Sequence, residues 1–188
     1  MVVRADELPD DAKQVEPITV GEKAPNPFLR MVDGNEVSLD AVRGDDPTIV
    51  VFYRGGWCPY CNRHLSELQT LKDEIKELGW KMVALSPDNP EHLQMTVKEQ
   101  DLSYTLLSDS EMKAAKAFGV AFQVDGPTVE RLEGFGIDLE KASGQSHRQL
   151  PVPAVFLVNS EGVVTFVFMD PNYKKRLSSD VLLKKLSI

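Results

Sequence analysis

Two cysteines, the only two in the chain, stand close together in the run Trp57-Cys58-Pro59-Tyr60-Cys61. That spacing suits a dithiol that opens and closes as a disulfide. The apolar run Ile49-Val50-Val51-Phe52-Tyr53 precedes it, and a helical pattern opening at Asn62 follows. A C-x-x-C at the start of a helix puts its first sulfur among the unpaired N–H groups of the first turn, where partial positive charge favours thiolate over thiol. Proline is best tolerated at the first helical position, so Pro59 makes Cys58 the expected N-cap. Cys61 falls about one turn further in, within reach of a disulfide with Cys58.

Rival readings of the same residues are weaker. Buried cysteines are common as plain core residues, but the helix-start position and the proline favour a reactive thiol. A structural zinc site takes four ligands as a rule, and His64, His92 and His147 are scattered; c-type haem attachment needs histidine where Asn62 stands. No metal and no cofactor are therefore expected. His64 shares a helical face with Cys61 and is read as a surface histidine. Arg54 has two readings, a cation that favours thiolate and a strand-end arginine paired with an acidic neighbour. Trp57 is placed beside the sulfur as a flat apolar surface for a partner, with plain core packing as its alternative.

A chain of 188 residues suits one well-buried core. Its 21 Lys plus Arg against 29 Asp plus Glu, a formal charge of -8, oppose attraction to phosphate backbones and anionic lipid, so neither nucleic acid nor membrane is an expected partner. No apolar run approaches a membrane span and the first residues lack a secretory pattern, so the expected location is cytoplasmic. One C-x-x-C pair without further cysteines fits a cytosolic catalytic centre better than a secreted disulfide framework.

The elements that must position the cysteines follow an α/β rhythm. Residues 1–17 are acidic, aperiodic and carry Pro9 and Pro17, and are expected to form a flexible or loosely docked arm ahead of a single domain over 18–188. Segments 28–31 and 35–39 flank Asp33-Gly34 as a hairpin, and 49–54 reads as a central strand. Leu65, Leu68, Leu71, Ile75 and Leu78 recur at helical spacing up to Gly79, predicting one helix after the cysteines. A strand over 80–85, a helix from Pro90 to about Gln100, a strand at 104–107 and a helix at 110–118 continue the alternation. Residues 121–150, rich in glycine, break it and form a candidate insertion or lid, with His147 and Arg148 as possible walls of the site. Strands at 152–159 and 163–169 and an amphipathic helix at 178–187 close the chain.

Strand, Trp-Cys-Pro-x-Cys and a much later Val-Pro-Ala ahead of an apolar strand resemble the thioredoxin superfamily. Gly21-Glu22-Lys23-Ala24-Pro25 and the long separation from the last hairpin look more like its peroxiredoxin branch, the alkyl hydroperoxide reductase and thiol-specific antioxidant group. Arg54-Gly55-Gly56-Trp57-Cys58-Pro59-Tyr60-Cys61, Leu150-Pro151-Val152-Pro153-Ala154 and Asp170-Pro171-Asn172-Tyr173 resemble a peroxiredoxin-like subgroup carrying C-x-x-C. The resemblance implies a thioredoxin-like fold of peroxiredoxin type: a central mixed sheet flanked by helices, with an N-terminal hairpin and an insertion before the last hairpin. The family motif P-x-x-x-T-x-x-C, aligned on the preceding strand, falls on Arg54, Cys58 and Cys61, and the family's later arginine falls on Pro153. The proline that shields the sulfur in that family, and the threonine and arginine that orient the peroxide, have all changed, towards thioredoxin chemistry. The resemblance further implies a cis Val152–Pro153 bond that leaves the Val152 backbone free for an extended substrate, with Tyr60 as a second substrate contact.

The expected function is that of a thiol-disulfide oxidoreductase in which Cys58 attacks a protein or small-molecule disulfide, Cys61 resolves the mixed disulfide, and an external dithiol restores the pair. The alternative is a thiol peroxidase acting on hydroperoxides, an antioxidant role, with a sulfenic acid intermediate. A non-enzymatic redox sensor working through 121–150 is the third reading. The carboxylate that thioredoxins bury on the strand before the motif has no equivalent among Ile49 to Tyr53.

Overall fold

Residues 8–187 are described by the structure, a computed structural model. Phe28–Arg30 (β1) and Glu36–Ser38 (β2) pair antiparallel across Asp33-Gly34, as the turn signal predicts, and Ser38 caps Leu39–Arg43 (α1). Thr48–Phe52 (β3) leads into Pro59–Thr70 (α2) and Lys72–Glu77 (α3). Lys81–Ser86 (β4), Pro90–Glu99 (α4), Thr105–Ser108 (β5) and Lys113–Ala117 (α5) follow. Ala121–Gln123 (β6), Gly126–Gly134 (α6), Leu139–Ser143 (α7) and Gln149–Pro151 (β7) make up the insertion. Ala154–Val158 (β8), Val164–Met169 (β9) and Ser179–Leu186 (α8) end the chain.

Seven strands form one mixed sheet in the order β2-β1-β5-β4-β3-β8-β9. β3, β4 and β5 run parallel, and β8 returns antiparallel along β3. Every residue of β3 is buried, so alternate side chains feed two cores. Ile49, Val51 and Tyr53 face a cluster with Cys58, Cys61, Leu65, Leu182 and Leu186; Val50 and Phe52 face Phe118 and Phe156 on the other side. Three of the latter rings, Phe52, Phe118 and Phe156, meet with centroids 5.0–5.9 Å apart, a favourable tilted packing. Parallel neighbours β3 and β4 end on the same side, so the loops that follow them converge above the sheet. That convergence builds the site.

Two expectations about regular structure change. The single helix after the cysteines is interrupted at Leu71, whose N–H reaches Leu68 O (3.1 Å) in a tightened turn, while Thr70 Oγ1 donates to Glu67 O (2.6 Å). The segment 121–150 is ordered: β6 pairs with β7, Asp125 and Asp138 cap its two helices, and Val124, Val129, Leu132, Leu139 and Leu150 form a small core of its own. Each Asp cap satisfies an N–H of the first turn, which lets short helices form in a glycine-rich stretch.

The described part of the N-terminal arm is docked. Gln123 N donates to Pro9 O (2.8 Å), Ile18 N to Phe118 O (3.0 Å), and Val15 is buried. Residues 1–7 lie outside the described residues. Gly119 is the seat of this contact, with φ +69° and so little room that a Cβ would overlap the Glu16 carbonyl. Gly119→Ala is expected to cost more than about 1 kcal/mol and to release the arm. Urea titration and faster proteolysis within 8–18 check this. Among the described residues no helix is long and apolar enough to cross a membrane.

Candidate active site

Cys58 is the N-cap of α2 and Pro59 stands in its first turn, as the sequence predicts. The Cys58 carbonyl accepts from Cys61 N and Asn62 N (both 3.0 Å), which locks the turn that brings the second cysteine beneath the first. Both are free thiols and both are buried, with relative exposures of 1% and 0%. The Cys61 thiol donates to the Cys58 sulfur, and this bond, assisted by the Cys61 backbone N–H and the positive charges of Arg54 and Arg176, outweighs burial and lowers the Cys58 thiol to about 6. Burial and the neighbouring sulfur push Cys61 well above the ordinary thiol range. One proton between two sulfurs therefore rests on Cys61, and Cys58 is the thiolate. Alkylation of Cys58 by iodoacetamide is expected to rise with pH through about 6 and stay flat above it; a midpoint in the ordinary thiol range would contradict this assignment.

Of the two readings of Arg54, the ion pair with an acidic neighbour is not found among the described residues. Buried just beyond the end of β3, it is instead sandwiched between two rings, its guanidinium carbon 5.0 Å from the Trp57 centroid and 4.3 Å from that of Tyr173. Aromatic faces attract a cation without neutralising it, so its charge stays available to the sulfur. Trp57 shows the core-packing reading: it packs against the cluster that holds the cysteines and against the core of the insertion. Tyr60 is 41% exposed and meets Tyr173 edge-on at 5.7 Å.

Sequence reasoning missed Arg176. From the segment between β9 and α8 its Nη2 donates to Cys61 Sγ at 3.3 Å, while Nη1 donates to the Tyr173 and Lys175 carbonyls. Its Nε is buried with no partner among the described residues. Arg176, Pro153 and His64 line one small cavity, so a guanidinium occupies the space beside the position where the resemblance puts the lost family arginine.

Three expectations are corrected here. His64 is buried, not on the surface, because it lies between Cys61, Leu65 and Leu68 on the inner face of α2; burial and then Arg176 lower its pKa to about 4, so it stays neutral. The Val152–Pro153 bond is trans, since no cis peptide occurs among the described residues; trans is the favoured isomer even before proline. The Val152 backbone N–H is not free, but donates to Val120 O at 2.8 Å, in continuation of the β6–β7 pairing. The residue leading into β6 thus takes the N–H that an extended substrate would use.

His147 and Arg148 stitch the insertion rather than line the sulfurs. His147 Nδ1 accepts from Gln149 N (2.9 Å), which leaves Nε2 to donate to Ser110 O (2.7 Å), and Arg148 pairs with Glu140 at 2.6 Å.

The strand before the motif carries no carboxylate, as the sequence shows, but a buried one arrives from another loop. Asp88, from the loop after β4, accepts from Gly56 N at 2.7 Å and lies close enough to Cys58 for their charges to interact. Gly55 permits this approach: at φ +151° it carries no Cβ, which would overlap the Trp57 indole and the Asp88 carboxylate.

Comparison with known proteins gives one coherent answer. The family model described as AhpC/TSA family matches residues 20–167. Peroxiredoxin Bcp of Escherichia coli is 29% identical over 90% of this chain and 96% of its own length. A putative peroxiredoxin of Mycobacterium tuberculosis is 35% identical over 60% of this chain and 73% of its own length. Among solved structures, reduced Prx3 of Vibrio vulnificus in complex with hydrogen peroxide superimposes with a TM-score of 0.73 at 17% identity, over 90% of this chain and 99% of that one. A thiol peroxidase from Chromobacterium violaceum gives 0.69 at 19% identity, over 96% and 92%. These structures share the fold of this chain, a peroxiredoxin-type thioredoxin fold.

Proposed function

The chain belongs to the AhpC/TSA family, and from that premise we propose that it is a thiol peroxidase whose Cys58 thiolate reduces hydroperoxides. The observation that carries this reading is the shared proton of the pair, which leaves a thiolate at Cys58 and a thiol at Cys61, poised one turn apart. Cys58 attacks the terminal oxygen of a hydroperoxide: an S–O bond forms, the O–O bond breaks, and the departing alkoxide or hydroxide takes a proton to leave as alcohol or water. Cys61 then condenses with the Cys58 sulfenic acid, releasing water and closing the disulfide. An external dithiol, of the thioredoxin type that the family resemblance implies, restores both thiols by exchange and is itself oxidised to a disulfide. A reducing cytoplasm supplies such dithiols and is the compartment that fits this cycle.

The closed substrate edge also favours a small oxidant. With the Val152 N–H bonded within the fold and both sulfurs buried, an extended polypeptide lacks the backbone anchor that the disulfide-exchange reading gives it. A low-molecular-weight disulfide remains the second reading, supported by the altered motif positions Arg54, Cys58 and Pro153. Mixing reduced protein with one equivalent of hydrogen peroxide tests the first. The expected product has lost two hydrogens and both thiols and carries a Cys58–Cys61 link in its peptide map. Persistence of both thiols over the same interval sinks it.

A further inference from the structure

The end of the sheet away from the cysteines carries a second concavity. Parallel β4 and β5 begin there, at Lys81 and Thr105, α3 packs against β4, and the cleft among them has a volume of about 560 Å³. β4 is six residues long and spans about 17 Å, so the cleft and the loops that hold the cysteines lie at opposite ends of it. Ile75, Met82, Val83 and Tyr104 line the cleft and are buried in the two main cores, with Trp80 half-buried beside them. These walls are set by the fold before any ligand arrives, as in most small-molecule sites. Their polar atoms are already used: Tyr104 Oη donates to Leu65 O at 3.0 Å and Trp80 Nε1 to Leu186 O at 3.2 Å. Both rings therefore have only carbon surface left to offer.

Charge around the cleft is one-sided. Lys72, Lys76 and Lys81 line it against a single carboxylate, Asp46, while the acidic residues of α3, Asp73, Glu74 and Glu77, are not part of its lining. Lys81 is committed to Asp46 (2.8 Å) and to the Arg43 carbonyl (2.9 Å). Lys72 donates to the Ser103 hydroxyl at 2.8 Å, and neither Lys72 nor Lys76 makes an ion pair among the described residues. The two stand one turn apart on α3, where like charges repel each other. Two uncompensated cations beside an apolar cleft, in a chain of formal charge -8, single out an anion with an apolar body. We propose that this cleft binds a fatty-acid-like carboxylate, its head on Lys72 and Lys76 and its alkyl chain along Trp80, Met82 and Tyr104. Sugars, nucleotides and peptides need polar partners along their bodies, which Trp80 and Tyr104 cannot give, and the net charge of the chain opposes an anionic bilayer.

Calorimetric titration of the reduced protein with dodecanoate, kept below its micellar concentration, tests this. One saturable site is expected. Decanoate, two methylenes shorter, is expected to bind about tenfold more weakly. Dodecan-1-ol, which keeps the chain and loses the charge, is expected to bind at least fivefold more weakly than dodecanoate, and the double variant Lys72→Gln, Lys76→Gln to lose a similar factor for dodecanoate. Location is read separately with ω-bromododecanoate, whose bromine quenches a tryptophan that it touches. The chain has two tryptophans, Trp57 and Trp80, and only Trp80 lines the cleft. Quenching is expected in the unsubstituted protein and is expected to disappear in Trp80→Phe. Absence of saturable binding, equal affinity for the alcohol, an affinity that the double variant leaves unchanged, or quenching that persists in Trp80→Phe each overturns the proposal.

Discussion

Cys58→Ser is expected to abolish peroxide consumption, whereas Cys61→Ser retains one rapid oxidation and accumulates a Cys58 sulfenic acid that dimedone captures. The asymmetry follows from where the proton rests. Cys58 receives hydrogen bonds from the Cys61 thiol and backbone N–H and feels two guanidinium charges, while Cys61 is held protonated by burial and by its neighbour. A serine at 61 keeps an O–H donor toward Cys58, so the thiolate survives, but it offers no sulfur to close the disulfide. Turnover then stops after the first step. A serine at 58 removes the nucleophile and leaves a buried thiol of raised pKa, which is a poor attacker. The register of the family motif instead puts the peroxidatic sulfur at Cys61. If that register governs, the dimedone adduct appears on Cys61 in Cys58→Ser and the pattern inverts. Mass spectrometry of the two adducts decides between them.

Arg176→Met is expected to raise the Cys58 midpoint by about one unit and to slow oxidation at neutral pH and below by up to tenfold. The guanidinium reaches Cys61 Sγ at 3.3 Å and lends positive charge to the pair from a partly desolvated position, where charge counts for more than in water. Methionine preserves most of the volume and removes both charge and donors. Arg176→Lys keeps the charge but not the fork that also grips the Tyr173 and Lys175 carbonyls, so it is expected to recover the midpoint only in part. A role confined to packing would leave the alkylation midpoint of both variants at about 6. The pH profile therefore separates electrostatic support from mere filling of space.

The redox centre was legible because its pieces are local: strand, N-cap cysteine, proline and helix occupy consecutive residues, and each has a strong backbone preference. The mixed sheet was legible for the same reason, from alternation and turn signals plus the resemblance. What supports the cysteines was harder to read because it arrives from far along the chain. Arg176 lies 115 residues from Cys61, and no local pattern marks it. The segment Asp170-Pro171-Asn172-Tyr173 was noticed, and it does bring Tyr173 onto Arg54, but it stops three residues short of the arginine. Asp88 did leave a signal. β3 and β4 are adjacent parallel strands, so the loop after β4 must rise beside the loop after β3, and an aspartate there meets the backbone of Gly56, two residues before Cys58. His64 was misread because its polarity outweighed its place among Cys61, Leu65 and Leu68 on one face of α2. The glycine-rich insertion hid its helices, since short capped helices carry too few apolar repeats to stand out. The cis proline was an inference from the resemblance and did not hold, and the Val152 N–H beside it is taken by Val120 O.

The central claim is that the Cys58 thiolate is tuned for peroxide. Stopped-flow mixing of the reduced protein with hydrogen peroxide, followed by the fluorescence of Trp57 beside the cysteines, tests it most directly, with bis(2-hydroxyethyl) disulfide as the competing oxidant. The account predicts a peroxide rate constant far above that of a free thiol at the same thiolate fraction, far above that for the disulfide, and lost in Cys58→Ser. A peroxide rate no greater than that of a free thiol, beside a fast reaction with the disulfide, would contradict the claim and identify the protein as a disulfide reductase on a peroxidase fold.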